Sequence, residues 1–187
     1  MSTNDLLTTE EMSALLKKAE PSGDKRRVAP YNFRRPDRLS KEQMRSLYLL
    51  HDTLSHALSS SLPVFLRTVS EVALISVEQQ ACADYIKGIT DPTALFTLSL
   101  YPLPGVAALE ISPLLAFPIV DWMLGGPGAP GQEPRAVTEI EQNILEGFLQ
   151  PVLEELREAW RPLIDIDPSV VGRETRPQML QIVAQPL

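Results

Sequence analysis

Cysteine is nearly missing from this sequence: Cys82 is the single one in 187 residues. It can close no intrachain disulfide, and alone it cannot build a multi-cysteine zinc site. Histidine is almost as scarce, with only His51 and His56. Five positions apart on a helix, they do not share a face as the i, i+4 pair of a metal site does. No run approaches the ~18 apolar residues of a membrane span, and no signal-peptide core follows Met1. The expectation is a cytoplasmic chain without membrane insertion. Glycine is modest at 9 residues. Proline is not: 17 residues, about 9% against a usual ~5%. High proline with little glycine predicts stiff connections rather than floppy linkers. With 44% hydrophobic and 22% charged residues the rest is ordinary for a globular protein. The length suits one domain with a tail.

Charge is distributed unevenly. Net charge is −7, yet residues 21–45 hold eight basic residues, from Lys25 to Arg45, against Asp24, Asp37 and Glu42. A basic arm on an acidic body reads either as a solvated linker or as a contact for an anionic partner. Only Tyr31 and Phe33 interrupt it, unlike the interleaved aromatics of a single-strand binder. The acidic body argues against nucleic acid as a partner.

Residues 6–19 predict a short helix. Thr8 and Glu11 form a capping box, Leu7 and Met12 a hydrophobic staple. Met12, Leu15, Leu16 and Ala19 then share one stripe, and Pro21 with Gly23 ends it. A dozen helical residues are marginal alone. The segment either packs on the body or folds into the groove of a partner. A second helix opens at a Ser40–Gln43 capping box. Its stripe is Met44, Leu47, Tyr48, His51, Leu54, Leu58 and Leu62, with a kink or restart expected at Pro63.

Thr68–Gln79 alternates and is rich in β-branched residues, which predicts a strand. Leu95–Tyr101 and Val106–Ile111 predict two more, joined as a hairpin through Pro102–Gly105. Ser112 is placed to cap a third helix with Pro113 at its first position. That helix is apolar nearly all round from Leu114 to Leu124, so it should be buried. Four glycines and three prolines mark 125–134 as a loop. A fourth helix opens at Thr138 with Glu141 as capping partner. Ile140, Ile144, Leu145, Phe148, Val152, Leu156 and Trp160 form its expected buried face, while Gly147 and Pro151 weaken its middle. Residues 161–179 are punctuated by proline and charge, and Leu180–Ala184 predicts the beginning of a strand. Helix, strands, helix, loop, helix and strand suggest a unit starting a second time and an end inside a domain. Such an end would leave apolar surface uncovered and lower stability.

No catalytic constellation stands out. His51 lies on the apolar stripe and reads as a satisfied core residue. Cys82 has no basic neighbour to activate it and reads as a small buried residue. Asp165 and Asp167 are too few for a cation cage. Gly125–Gly131 lacks the Lys-Ser or Lys-Thr of a phosphate loop, and it follows a helix rather than a strand. One glycine suffices to end a helix. The surplus in Gly125, Gly126, Pro127 and Gly128 leaves a second reading open, a loop that another backbone approaches closely.

Three motifs together carry a resemblance. They are 7–16 (LTTEEMSALL), 31–38 (YNFRRPDR) running into Ser40, and 121–128 (DWMLGGPG) followed by Arg135, Thr138 and Glu141. In order and spacing the sequence resembles the FliM family of flagellar motor switch proteins. The resemblance implies an N-terminal segment, 1–20, that binds phosphorylated CheY through Leu7, Glu11, Met12, Ala14, Leu15 and Leu16. It implies a basic linker over 21–38 and a middle domain from 39 to 187. The implied fold class is α/β, a three-layer α/β/α pseudo-repeat like that of CheC, incomplete at its end. Gly125, Gly126, Pro127 and Gly128 would bind FliG. Neighbouring FliM subunits in a ring are implied as further partners, and FliN through a C-terminal domain this sequence does not contain. No cofactor, metal or catalytic residue is implied, and the place is the cytoplasmic face of the flagellar basal body. The competing enzymatic reading, a CheC-like phosphatase acting on phospho-CheY, needs a Glu-x-x-Asn pair on a helix. Asn143 could supply the amide, but Ile140 stands where the carboxylate should be.

Overall fold

The computed structural model describes residues 39–129 and 135–180, all within the unit Leu39–Leu187. The expected N-terminal helix and its contact residues therefore lie outside the described residues, as do 181–184 of the last predicted strand.

Helix α1 spans Lys41–Leu66, α2 Cys82–Gly88, α3 Pro113–Met123 and α4 Glu139–Trp160. Strands β1 (Ala94–Tyr101), β2 (Val106–Ile111) and β3 (Asp167–Glu174) form one antiparallel sheet in the order β2-β1-β3. A single 3₁₀ turn follows at Pro177–Met179. Both predicted capping boxes are present: Ser40 with Gln43, and Thr138 with Glu141. Each satisfies two of the N–H groups that a helix start leaves without intrahelical partners.

Alternation along β1 sorts the sheet into two faces. Ala94, Phe96 and Leu98 point into one buried cluster with Leu58, Leu62 and Leu66 of α1. Ala116, Ile119 and Val120 of α3 and Leu145, Phe148, Leu149 and Leu153 of α4 complete it. The long helices α1 and α4 run antiparallel. Phe65 meets Phe148 near one end, with ring centroids 6.5 Å apart. His51 stands edge-on to Trp160 near the other, at 6.3 Å. On the opposite face Leu95 pairs across the sheet with Glu110. Tyr85 of α2 faces that carboxylate, and burial, followed by the charges of Glu110 and Cys82, raises its phenol pKa. The arrangement is thus long helices, sheet, short helix.

Several expectations are corrected. Thr68–Gln79 forms no strand. β-Propensity describes fitness for a paired, half-buried surface, and among the described residues no strand lies beside this segment. Its tie to the body is Ser59, whose Oγ donates to the Val72 carbonyl at 2.9 Å and accepts from the Val72 N–H at 2.8 Å. Val69 is 99% exposed and Ile75 90%. The hairpin β1–β2 is confirmed, with Tyr101–Pro102 cis in its turn. Residues 161–179, expected to be irregular, contain β3. Among the described residues it is an edge strand, which accommodates Pro168, and its register against β1 shifts between Thr97 and Leu98.

Helix α1 runs through Pro63 without restarting, and α4 runs through Gly147 and Pro151. Ser112 makes no side-chain cap on α3. Nor is α3 buried all round: Leu114 is 82% exposed and Leu115 half-exposed. The inner side of α4 includes Leu149 and Leu153, while Ile140 is 73% exposed and Tyr48 of α1 is also exposed. Cys82 is only half-buried and opens α2, not expected from the sequence. His51 is satisfied as expected, with Nδ1 2.8 Å from the Leu47 carbonyl oxygen, but it is half-buried and lies outside the buried cluster.

Candidate functional site: a pinned glycine loop

Helix α3 ends where the glycines begin. The Leu124 N–H reaches the Val120 and Asp121 carbonyls, and the Gly125 N–H reaches Trp122 O at 3.0 Å. The Gly126 N–H then turns back to Asp121 O at 2.8 Å. These bonds satisfy carbonyls that a helix end leaves open. Next the chain folds over its own helix. The Asp121 Oδ2 accepts from Gly128 N at 2.7 Å and from Ala129 N at 3.0 Å. The Trp122 indole N–H donates to Pro127 O at 3.1 Å.

The three glycines are present for three reasons. Gly125 sits at φ +89 with open space around it, so it answers to backbone conformation alone. Gly126 has an ordinary φ, but a Cβ there would overlap the Asp121 carboxylate. Gly128 needs both: it lies at φ +81, and a Cβ would run into the Trp122 indole. The close approach anticipated for these glycines is therefore made, within the molecule, by side chains of the preceding helix. Asp121 and Trp122 stand in the sequence motif, but nothing in their spacing gave them this role. An acidic residue seven positions before Gly128 is the only trace.

Every backbone N–H from Leu124 to Ala129 is thereby engaged, Pro127 having none. The loop is preformed, and what it offers outward is carbonyl oxygen and apolar surface. Leu124, Gly125, Pro127 and Ala129 are exposed. Residues 130–134 are not described. Where the chain re-enters α4, a second clasp holds it. The Arg135 guanidinium lies 4.3 Å from the centre of the Phe117 ring of α3. It also forms a two-pronged bond with the Glu141 carboxylate, one prong at 2.8 Å. Glu141 further accepts from the Thr138 N–H and hydroxyl, each at 2.8 Å. The bond from Arg135, then those from Thr138, hold the Glu141 carboxyl at about 2 against the opposing effect of its desolvation.

Beside the loop lies an open cleft of about 610 Å³ between the end of α1 and the start of the loop. Other candidate positions serve packing and pairing. Asp165 and Asp167 face Arg157 at 3.4 and 3.9 Å. Asn143 of α4 accepts from Arg173 of β3, which also pairs with Glu146. Among the described residues no helix is long and apolar enough to cross a membrane.

Comparison with known proteins bears on this geometry. A family model described as flagellar motor switch protein FliM matches residues 40–186. The FliM of Treponema pallidum is 39% identical over 170 residues, covering 91% of this chain and 49% of that protein. The FliM of Borreliella burgdorferi is 36% identical over 183 residues, covering 97% and 51%. This chain thus spans about half the length of the curated relatives it matches. Among solved structures, a chain of the FliG–FliM complex from H. pylori superposes with a TM-score of 0.75 at 35% identity, covering 79% of this chain and 81% of that one. The FliM middle domain from the same organism superposes with a TM-score of 0.71 at 34% identity, covering 79% of each. Thermotoga maritima FliY, at 16% identity and a TM-score of 0.64, covering 73% of this chain and 69% of that one, shares the fold.

Proposed function

The chain belongs to the FliM family of flagellar motor switch proteins, and from that premise we propose that it is a non-catalytic switch scaffold. Its loop Gly125–Gly128 docks on the rotor protein FliG. Its N-terminal residues Leu7, Glu11, Met12, Ala14, Leu15 and Leu16 capture phosphorylated CheY, and copies sit side by side in a ring at the cytoplasmic face of the basal body. The observation that carries this reading is the pinned loop. A segment with all its N–H groups engaged is a rigid shape that a partner can read without first ordering it, which lowers the cost of association. The solved complex of a 35% identical FliM with FliG is in keeping with it.

Capture of CheY rests on the amphipathic pattern of residues 6–19. A short segment that folds on binding loses part of its interaction energy in ordering, so capture is weak and reversible. It biases rotation only by binding one switch geometry better than the other. The phosphatase reading has less support. The Asn143 amide is occupied by Arg173, and Ile140 holds the position of the required carboxylate.

The test is a titration with phosphorylated and unphosphorylated CheY, using the intact chain and a chain lacking residues 1–20. The expected result is phosphorylation-dependent binding by the intact chain alone, with FliG capture equal in both. Equal CheY binding by the two chains would contradict the N-terminal assignment.

A further inference from the structure

We propose that residues 21–45 are a contact for anionic lipid, a basic arm that lies on the phosphate headgroups of a membrane while the acidic body stays off it. From the function proposed above this takes only the place, the cytoplasmic face of a membrane, and it is independent of what the loop binds. Eight basic residues stand in the arm against three acidic ones, a net +5. From 46 to 187 seven basic residues stand against seventeen acidic ones, a net −10. A negatively charged bilayer therefore attracts one stretch of the chain and repels the next. At physiological salt the repulsion is screened beyond about 8 Å, a separation that a link the length of residues 21–38 can span.

The residue types fit a headgroup layer. Six of the eight cations are arginine, whose planar guanidinium meets two phosphate oxygens at once. They fall in two groups, Lys25 to Arg27 and Arg34 to Arg45, with Tyr31 and Phe33 between them. Aromatic rings beside cations suit the boundary between headgroups and hydrocarbon. The described end of the arm carries the same mixture on a fixed support. Lys41 and Arg45 lie one turn apart at the start of α1, both exposed. Among the described residues neither pairs with a carboxylate. Tyr48 and Leu49 follow on the same side of the helix, 44% and 56% exposed. Glu42 and Asp52 border this side, and Asp52 faces His56. Nucleic acid fits less well. It calls for a basic face on the folded body and for aromatics interleaved along the arm. Here the body is acidic and the arm holds two rings.

The test is flotation of the full chain with vesicles, either pure phosphatidylcholine or about one part phosphatidylserine to three of phosphatidylcholine. Wild type is expected to float with the anionic vesicles alone, and less as salt rises from about 50 to 300 mM. The double variant Arg34→Glu with Arg35→Glu should bind at least tenfold more weakly, since each cation at such a surface is worth about fivefold. Arg34→Lys with Arg35→Lys should stay within about threefold of wild type, because the charge is kept. The thermal midpoint of each variant is expected to match wild type, which shows that a loss of flotation is not a loss of fold. No flotation with anionic vesicles, equal flotation with both kinds, or unchanged flotation of the glutamate variant overturns the proposal and leaves the proposed function standing. Release from vesicles by inorganic phosphate at constant ionic strength reassigns the arm to a soluble anion and overturns it. Release by duplex DNA at a concentration below that of the lipid phosphate reassigns it to nucleic acid and overturns it likewise.

Discussion

The Asp121 carboxylate reaches past the end of α3 to the Gly128 N–H, 2.7 Å away, and closes the loop upon the helix that precedes it. The same oxygen takes the Ala129 N–H. One side chain therefore fixes the shape that we propose FliG recognises.

Asp121→Ala should loosen that shape without dismantling the core. Two N–H groups lose a charged acceptor, a change of about 1–3 kcal/mol in stability. Affinity for FliG should fall by more than the stability change alone explains, since the loop must then be ordered at the moment of binding. Asp121→Asn keeps one carbonyl oxygen and should recover part of both. Urea unfolding alongside FliG titration reads the two effects separately.

Alanine at each glycine should rank them. Gly125→Ala meets no neighbour and costs strain only, on the order of 1 kcal/mol. Gly126→Ala must displace the Asp121 carboxylate. Gly128→Ala must displace the Trp122 ring at an unfavourable φ and should be the most damaging. Thermal midpoints of the three variants check the order, and an equal loss at all three would contradict the separate causes.

Glu141 gives a pH signature. Its carboxyl is depressed to about 2 from an ordinary 4.5. Its stabilising contribution is therefore complete above 4.5 and is lost as pH falls from 4.5 toward 2. Because Arg135 is half-exposed, the contribution is about 1 kcal/mol. Glu141→Gln should be less stable than wild type at pH 7, and the gap should close toward pH 2. Denaturant unfolding across that range measures it.

Ser59 should govern the order of the segment after α1. Its hydroxyl serves both backbone groups of Val72. Ser59→Ala should cost about 1–2 kcal/mol. Amide exchange at Val72 should rise to that of its exposed neighbours.

The two long helices α1 and α4 were legible in the sequence because their starts are written locally. Ser40 with Gln43 and Thr138 with Glu141 are capping boxes that need no tertiary context. Strands are different, because a strand exists only with its neighbour. Val72 and Leu74 alternate in a strongly β-prone segment that finds no partner strand among the described residues. Pro168, Ser169 and Gly172 read as irregular, yet they lie in β3 because β1 supplies the pairing. Buried faces were read less well than helix limits. Leu114 and Ile140 continue an apolar pattern but face outward; in the same first turn of α3 it is Pro113 and Ala116 that are buried. In the candidate site the glycines were visible and their causes were not. Which side chain fills the space beside Gly126 depends on how the chain folds back over α3.

The most direct test of the account is the affinity of FliG for the chain carrying Gly126→Asp, measured with CheY binding as a control. FliG binding is expected to be lost, since the new side chain must occupy the place of the Asp121 carboxylate that holds the loop. Binding of phosphorylated CheY should be unchanged. Wild-type affinity for FliG in this variant would contradict the assignment of the loop.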